Sequence, residues 1–166
     1  MLDFIISAHN QSILKYELSK MLEKASELSE DQKYNQALKY YENILRIEPV
    51  NIAAIIDYGV TLQNLADLKS ALEMYNMALT IQPKNILALI NKGTVLHTME
   101  KYSEAISCYN TVLRIDKRNT MAIVCKGLSF GEMGNITSAI KYFKKAIAID
   151  SQHELAQISL STAKRS

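Results

Sequence analysis

NILALINKGTVLHTMEKYSEAISCYNTVLRIDKRN, residues 85–119, carries the pattern that decides the fold. Within it Gly93 stands twelve residues before Ala105. Tyr109, Val112, Ile115 and Asn119 follow that alanine at four, seven, ten and fourteen. Moving outward by 34 residues in either direction finds the same phase again. Alanine recurs at Ala37, Ala71 and Ala139, each followed at four by a ring: Tyr41, Tyr75 and Phe143. The glycine slot holds Ala25, Gly59 and Gly127 in the other copies, the isoleucine slot Ile47, Ile81 and Ile149. The final slot holds Asn51, Asn85, Asn119 and then His153.

Spacings of three, four and seven place residues on one face of a helix. Alanine followed at four by an aromatic makes a small-then-large ridge, in which the alanine admits a neighbouring helix and the ring fills the gap beside it. A glycine inside a helix costs about 1 kcal/mol. Repeating that cost at one phase, as Gly59, Gly93 and Gly127 do, implies close approach of paired helices. Asn51, Asn85 and Asn119 suit helix N-caps, because the side chain accepts from the orphan amides of the next turn. Pro49 and Pro83, just upstream, would stop the preceding helix. Each copy therefore reads helix, turn, helix, stop, and Gly134-Asn135 reads as the turn inside the last one.

This pattern resembles the tetratricopeptide repeat family, whose 34-residue unit carries a Trp…Leu-Gly…Tyr…Ala…Phe…Ala…Pro signature. The resemblance spans repeats 18–51, 52–85, 86–119 and 120–153. It departs from the family where the aromatic of the first helix is replaced by Met21, Ile55, Leu89 and Ile123, and where Lys117 and Ser151 replace the proline. It implies an all-α fold, a right-handed superhelical α-solenoid of antiparallel helix hairpins.

Stacked repeats leave apolar faces at their ends. Residues 154–166 read as a capping helix, with Leu155, Ile158 and Leu160 expected to cover the fourth repeat. Ser12 to Glu30 reads as one long helix with Leu14, Leu18, Met21, Leu22, Ala25 and Leu28 on its apolar side. The preceding segment, within an arm over 1–17, clusters Leu2, Phe4, Ile5 and Ile6 without a repeat partner. These four are candidate docking anchors, in cis or toward a second copy.

In the family that the chain resembles, the first helix of each repeat lines a concave groove. Carried over, that role falls on Ile56, Val60 and Asn64; on Leu87, Ile90, Asn91, Thr94 and His97; and on Met121, Val124 and Leu128. The subfamily that grips a chaperone's C-terminal carboxylate uses lysines, asparagines and an arginine. Its slots here hold Leu22, Ser26, Asp57, Leu87 and Asn91 in one register, and Ile56, Val60, Asn91, Met121 and Cys125 in the other. Neither set contains a cation, so the groove is expected to be aliphatic and not a carboxylate clamp. Each large apolar side chain fully buried by a ligand yields about 1.5–3 kcal/mol. Against association costs of about 4–15 kcal/mol, seven of them allow micromolar binding.

The rest of the 166 residues excludes more than it suggests. A net charge of +2 gives no footprint for nucleic acid, and the cluster Lys141, Lys144 and Lys145 reads as a solvated face, not a phosphate clamp. Two cysteines, Cys108 and Cys125, show no metal or redox spacing and read as small hydrophobes of a reducing compartment. The start of the chain lacks the basic region of a secretory signal, which gives little weight to the glycosylation patterns at Asn10 and Asn135. No run of about 20 apolar residues could span a membrane.

His153-Glu154 opens like a zinc-protease motif, but Gln157 stands where the second histidine belongs. His9, His97 and His153 share no metal spacing, and Gly127, Gly131 and Gly134 form no phosphate loop. No catalytic residue, metal or cofactor is expected. The expectation is a cytoplasmic adaptor or scaffold that binds an amphipathic or extended peptide segment of a protein partner, with no nucleic acid and no membrane insertion. The alternatives are a homodimer or larger assembly built through the arm, and a regulatory fragment of a longer protein.

Overall fold

The computed structural model describes residues 2–164, with side chains from residue 11 onward. The described residues form nine α-helices and no strand. They are α1 (Leu2–Glu30), α2 (Tyr34–Ile47), α3 (Ile52–Asn64), α4 (Leu68–Ile81), α5 (Ile86–Thr98), α6 (Tyr102–Ile115), α7 (Thr120–Glu132), α8 (Ile136–Ile149) and α9 (Glu154–Ala163). The fold class is an all-α helical repeat. Helices α3, α5 and α7 begin 34 residues apart, as their N-caps dictate. The side chains of Asn51, Asn85 and Asn119 accept from Ala54, Ala88 and Ala122 N–H, each at 3.0 Å. His153 does the same for α9, its Nδ1 accepting from Ala156 N–H at 3.4 Å.

Inside each hairpin the chain reverses through one residue of left-handed backbone. These are Gln32, Ala66, Glu100 and Gly134, with φ of 61°, 61°, 60° and 75°. Around Glu100, its N–H donates to His97 O at 2.9 Å and Lys101 N–H to Leu96 O at 2.8 Å. That pair of bonds is the Schellman termination of a helix, and it repeats at the other three turns.

Helices α2, α4, α6 and α8 all end at the same phase, although only two of them are followed by proline. Where proline is missing, an aspartate closes the turn. Asp116 Oδ1 accepts from Arg118 N–H at 3.0 Å and Asp150 Oδ1 from Gln152 N–H at 3.1 Å. The repeats with proline carry Glu48 and Gln82 at that place, which accept instead from the side-chain amides of Asn51 and Asn85 at 2.6 and 3.0 Å.

The chain divides into two compact units, Met1–Met74 and Tyr75–Ser166. The core of the first gathers Leu18, Ala25, Leu28, Ala37, Tyr41, Ile44 and Ala54. In it Ser29 and Thr61 hydroxyls bond at 2.7 Å, and Tyr58 Oη donates to Glu42 at 3.1 Å. Helix α1 starts ten residues before Ser12, the expected start, and Leu14, although on the same stripe as Leu18, Ala25 and Leu28, is exposed.

The second unit pairs α5 with α6, α7 with α8, and α8 with α9. Part of its core joins Ile123, Val124, Ala139, Phe143, Ala146 and Ala156. The glycine slots are explained here by contact. A Cβ on Gly93 would stand 2.5 Å from Tyr109 Cε1, and one on Gly127 2.6 Å from Phe143 Cε1. The C-terminal helix packs differently from expectation. Ala156, Leu160 and Ala163 turn inward at spacings of four and three, whereas Leu155 and Ile158 lie off that stripe and are exposed.

Candidate interaction face

Within the second unit α7 neighbours both α5 and α9, so the three first helices stand side by side. Each exposes a large apolar residue at the same repeat position: Leu87 (54%), Met121 (47%) and Leu155 (43%). Ile158, one turn along α9, is 54% exposed. Beneath it a hollow of about 270 Å³ opens between α7, α8 and α9, lined by Leu128, Glu132, Ile136, Phe143 and Ile158 among others. Ile90, Asn91, Thr94, His97 and Leu128 are half-buried along α5 and α7.

Two of the expected groove residues do not face outward. Val124 is fully buried, sharing its core with Phe143 and with Ala156 of α9. Ile56, in the first unit, is 3% exposed. Both occupy a helix side turned into the core, so neither is available to a ligand. Val60 and Asn64, also in the first unit, are exposed. That unit has its own hollow, of about 560 Å³, lined by Leu14, Lys15, Leu18, Leu22, Glu48 and Asn51 among others. The arm anchors Leu2, Phe4, Ile5 and Ile6 lie outside the described side chains.

Two polar side chains of α5, Thr94 and His97, also bond within the fold. Thr94 Oγ1 donates to Ile90 O at 3.1 Å, and Ser129 Oγ, fully buried, donates to Cys125 O at 3.1 Å. His97 Nδ1 lies 2.9 Å from Ser129 Oγ, in hydrogen-bond contact. The imidazole also packs edge-on against Tyr102, 5.2 Å between centroids. Burial raises the Tyr109 phenol well above its usual range and pushes up the thiols of Cys108 and Cys125. Both cysteines are free, and thiols held protonated by burial are poor nucleophiles.

Tetratricopeptide-repeat family models match residues 28–92 and, with a second model, 86–119 and 126–153, together well over half of the sequence. The chain belongs to the tetratricopeptide repeat family. Members of this family serve protein–protein interaction, and that is the class of function the repeats bring here. No curated protein matches the chain.

Among solved structures, it is similar to a tetratricopeptide repeat protein from Parabacteroides merdae, with a TM-score of 0.78 and 22% identity over 89% of this chain. The chain spans 59% of that protein's length. It is similar to the MamA protein at a TM-score of 0.77 and 18% identity, covering 89% of this chain and 81% of the other. It also resembles the first tetratricopeptide domain of Spaghetti (RPAP3) bound to an HSP90 peptide, at a TM-score of 0.66 and 15% identity, covering 69% and 90%. At these identities the likeness is one of fold. No helix among the described residues is long and apolar enough to cross a membrane.

The tetratricopeptide pattern alone did not single out Leu155 and Ile158 as outward-facing, nor Lys126 as buried. For Leu155 the signal was available, since it falls 34 residues after Met121. Lys126 carries no such signal, since Lys24 shares its phase and is exposed.

Proposed function

We propose that this tetratricopeptide chain is an adaptor that binds an amphipathic or extended peptide segment of a partner protein along α5, α7 and α9. The observation that carries the reading is the exposed apolar row Leu87, Met121 and Leu155, repeated at one phase on three adjacent helices, with Ile158 beside it. Isolated exposed apolar residues are ordinary; a contiguous row beside a hollow marks an interaction surface. Ile90 and Leu128 border the row, and Asn91, Thr94 and His97 supply polar edges. In the first unit, Val60 and Asn64 are themselves exposed on α3.

Four side chains that are about half exposed yield roughly 1 kcal/mol each on full burial. Backbone hydrogen bonds and filling of the hollow must supply the rest, so binding in the range of about 10–100 µM is expected. The absence of cations in the clamp slots favours an apolar ligand over a chaperone's terminal carboxylate.

The test begins by selecting peptides from a displayed random library against the whole chain. The affinity of a selected peptide is then compared for the wild type and the Leu87→Asp/Met121→Asp variant. Loss of at least about tenfold, the mark of a contact hot spot, is expected. Unchanged affinity would remove this face as the site. Val124 is unsuitable for such a test, because a charge there would strike the core.

A further inference from the structure

On the side of the second unit formed by α6, α7 and α8, three cations meet without a counter-charge. Lys126 is 8% exposed, a level of burial rare for lysine unless it is paired. Its ammonium donates to Asn110 Oδ1 at 2.6 Å and lies over the Tyr142 ring at 4.4 Å from the centroid. Both partners are neutral, and no salt bridge to Lys126 occurs among the described residues. An ammonium has three donors, and one of them is met by a hydrogen bond here.

The same ammonium borders a hollow of about 560 Å³ whose wall also includes Arg114, Lys145 and Ser107, and no acidic side chain. Among the described residues Arg114 gives one guanidinium bond, to Thr111 Oγ1 at 2.9 Å, leaving the rest of its fork available.

We propose that this hollow is a phosphoryl-binding site, separate from the apolar face of α5, α7 and α9. Three positive charges in one pocket favour a group of charge near −2, which a phosphate monoester carries at neutral pH and a carboxylate does not. The Lys126 ammonium, fixed by Asn110 and Tyr142, supplies a preset charge. Arg114 supplies a fork that matches paired phosphate oxygens, and Ser107 a further hydroxyl donor. The phosphoryl group can come from a phosphorylated side chain of a partner or from free phosphate.

The experiment is an NMR titration of the full chain at constant ionic strength, with chloride as the balancing anion. The probes are sodium phosphate, a glycine-flanked phosphoserine pentapeptide, its unphosphorylated twin, and a short single-stranded oligonucleotide. Saturable shifts at the Asn110 side-chain amide and the Tyr142 ring are expected with the phosphoserine peptide, and none with the serine twin. Tighter binding of the peptide than of phosphate assigns the source to a partner's side chain; the reverse order assigns it to free phosphate.

Lys126→Met should weaken binding by at least about tenfold, the loss expected for a charge-assisted bond. Since that change also alters packing on Tyr142, Lys145→Gln is the second variant, expected to weaken binding about threefold with the melting temperature unchanged. Non-saturating shifts, an equal response to the serine twin, or unchanged affinity in both variants would overturn the proposal. So would tighter binding of the oligonucleotide than of either phosphoryl probe.

Discussion

The ring of Tyr109 occupies the space that a side chain on Gly93 would need: a Cβ there would lie 2.5 Å from Cε1 and 2.8 Å from Cζ. The tyrosine is itself 1% exposed and has nowhere to withdraw. Replacing Gly93 with alanine improves helix propensity by about 1 kcal/mol, but overpacking against a fixed ring costs about 1–3 kcal/mol. Gly93→Ala is therefore expected to destabilise the chain by about 1 kcal/mol in urea unfolding. In a Tyr109→Leu background the same change should lose its penalty. A cost that persists without the ring would place the clash elsewhere.

The left-handed turn residues give a prediction of opposite sign. Glu100 and Ala66 hold φ near 60° with a Cβ, whereas Gly134 does so without one. Strain at such a position is of the order of 1–3 kcal/mol, and glycine's greater unfolded-state entropy takes back about 0.4–1 kcal/mol. Glu100→Gly should stabilise by about 0.5–1 kcal/mol, and Gly134→Ala should destabilise by about 1 kcal/mol. Urea midpoints of the two variants check both signs.

Capping offers a third test, because α6 starts at Lys101 with no side-chain cap while α7 starts at Asn119 with one. Asn119→Ala should cost about 1 kcal/mol, and Lys101→Asn should gain up to about 1 kcal/mol. Thermal unfolding monitored by circular dichroism measures each.

Asp57 supplies a pH prediction. Burial alone raises its pKa above the ordinary 3.8. A folded pKa above the unfolded one means that the native state binds more protons in the window between them. Stability is then lost as pH rises through that window. Asp57→Asn should raise the melting temperature at pH 7 and make little difference below pH 3.8. A variant less stable than wild type at pH 7 would show that the carboxylate is held by a stabilising partner.

The phase of every helix from α2 onward was legible in the sequence because each depends on local chemistry. Asn51, Asn85 and Asn119 cap the turns that follow them, and Gly93 and Gly127 meet rings at fixed offsets within the same hairpin. Periodicity reports phase; it does not report what covers a face. Ile90 and Val124 share one repeat position, yet Val124 is enclosed in a core with Ala156 and Ile90 is half-buried. Leu155 faces outward because a stripe of Ala156, Leu160 and Ala163 suffices to cover the fourth repeat. Lys126 was invisible for a similar reason. Its bond to Asn110 joins two repeats, and only three-dimensional pairing brings an ammonium to that amide.

Methyl NMR of the chain with a selected peptide shows whether ligands engage the first helices. The methyl groups of Leu87, Met121, Leu155 and Ile158 are expected to shift together and saturate at one affinity, while that of exposed Ile115 at the end of α6 stays still. Shifts centred on Ile115, with Leu87 and Met121 unmoved, would contradict it.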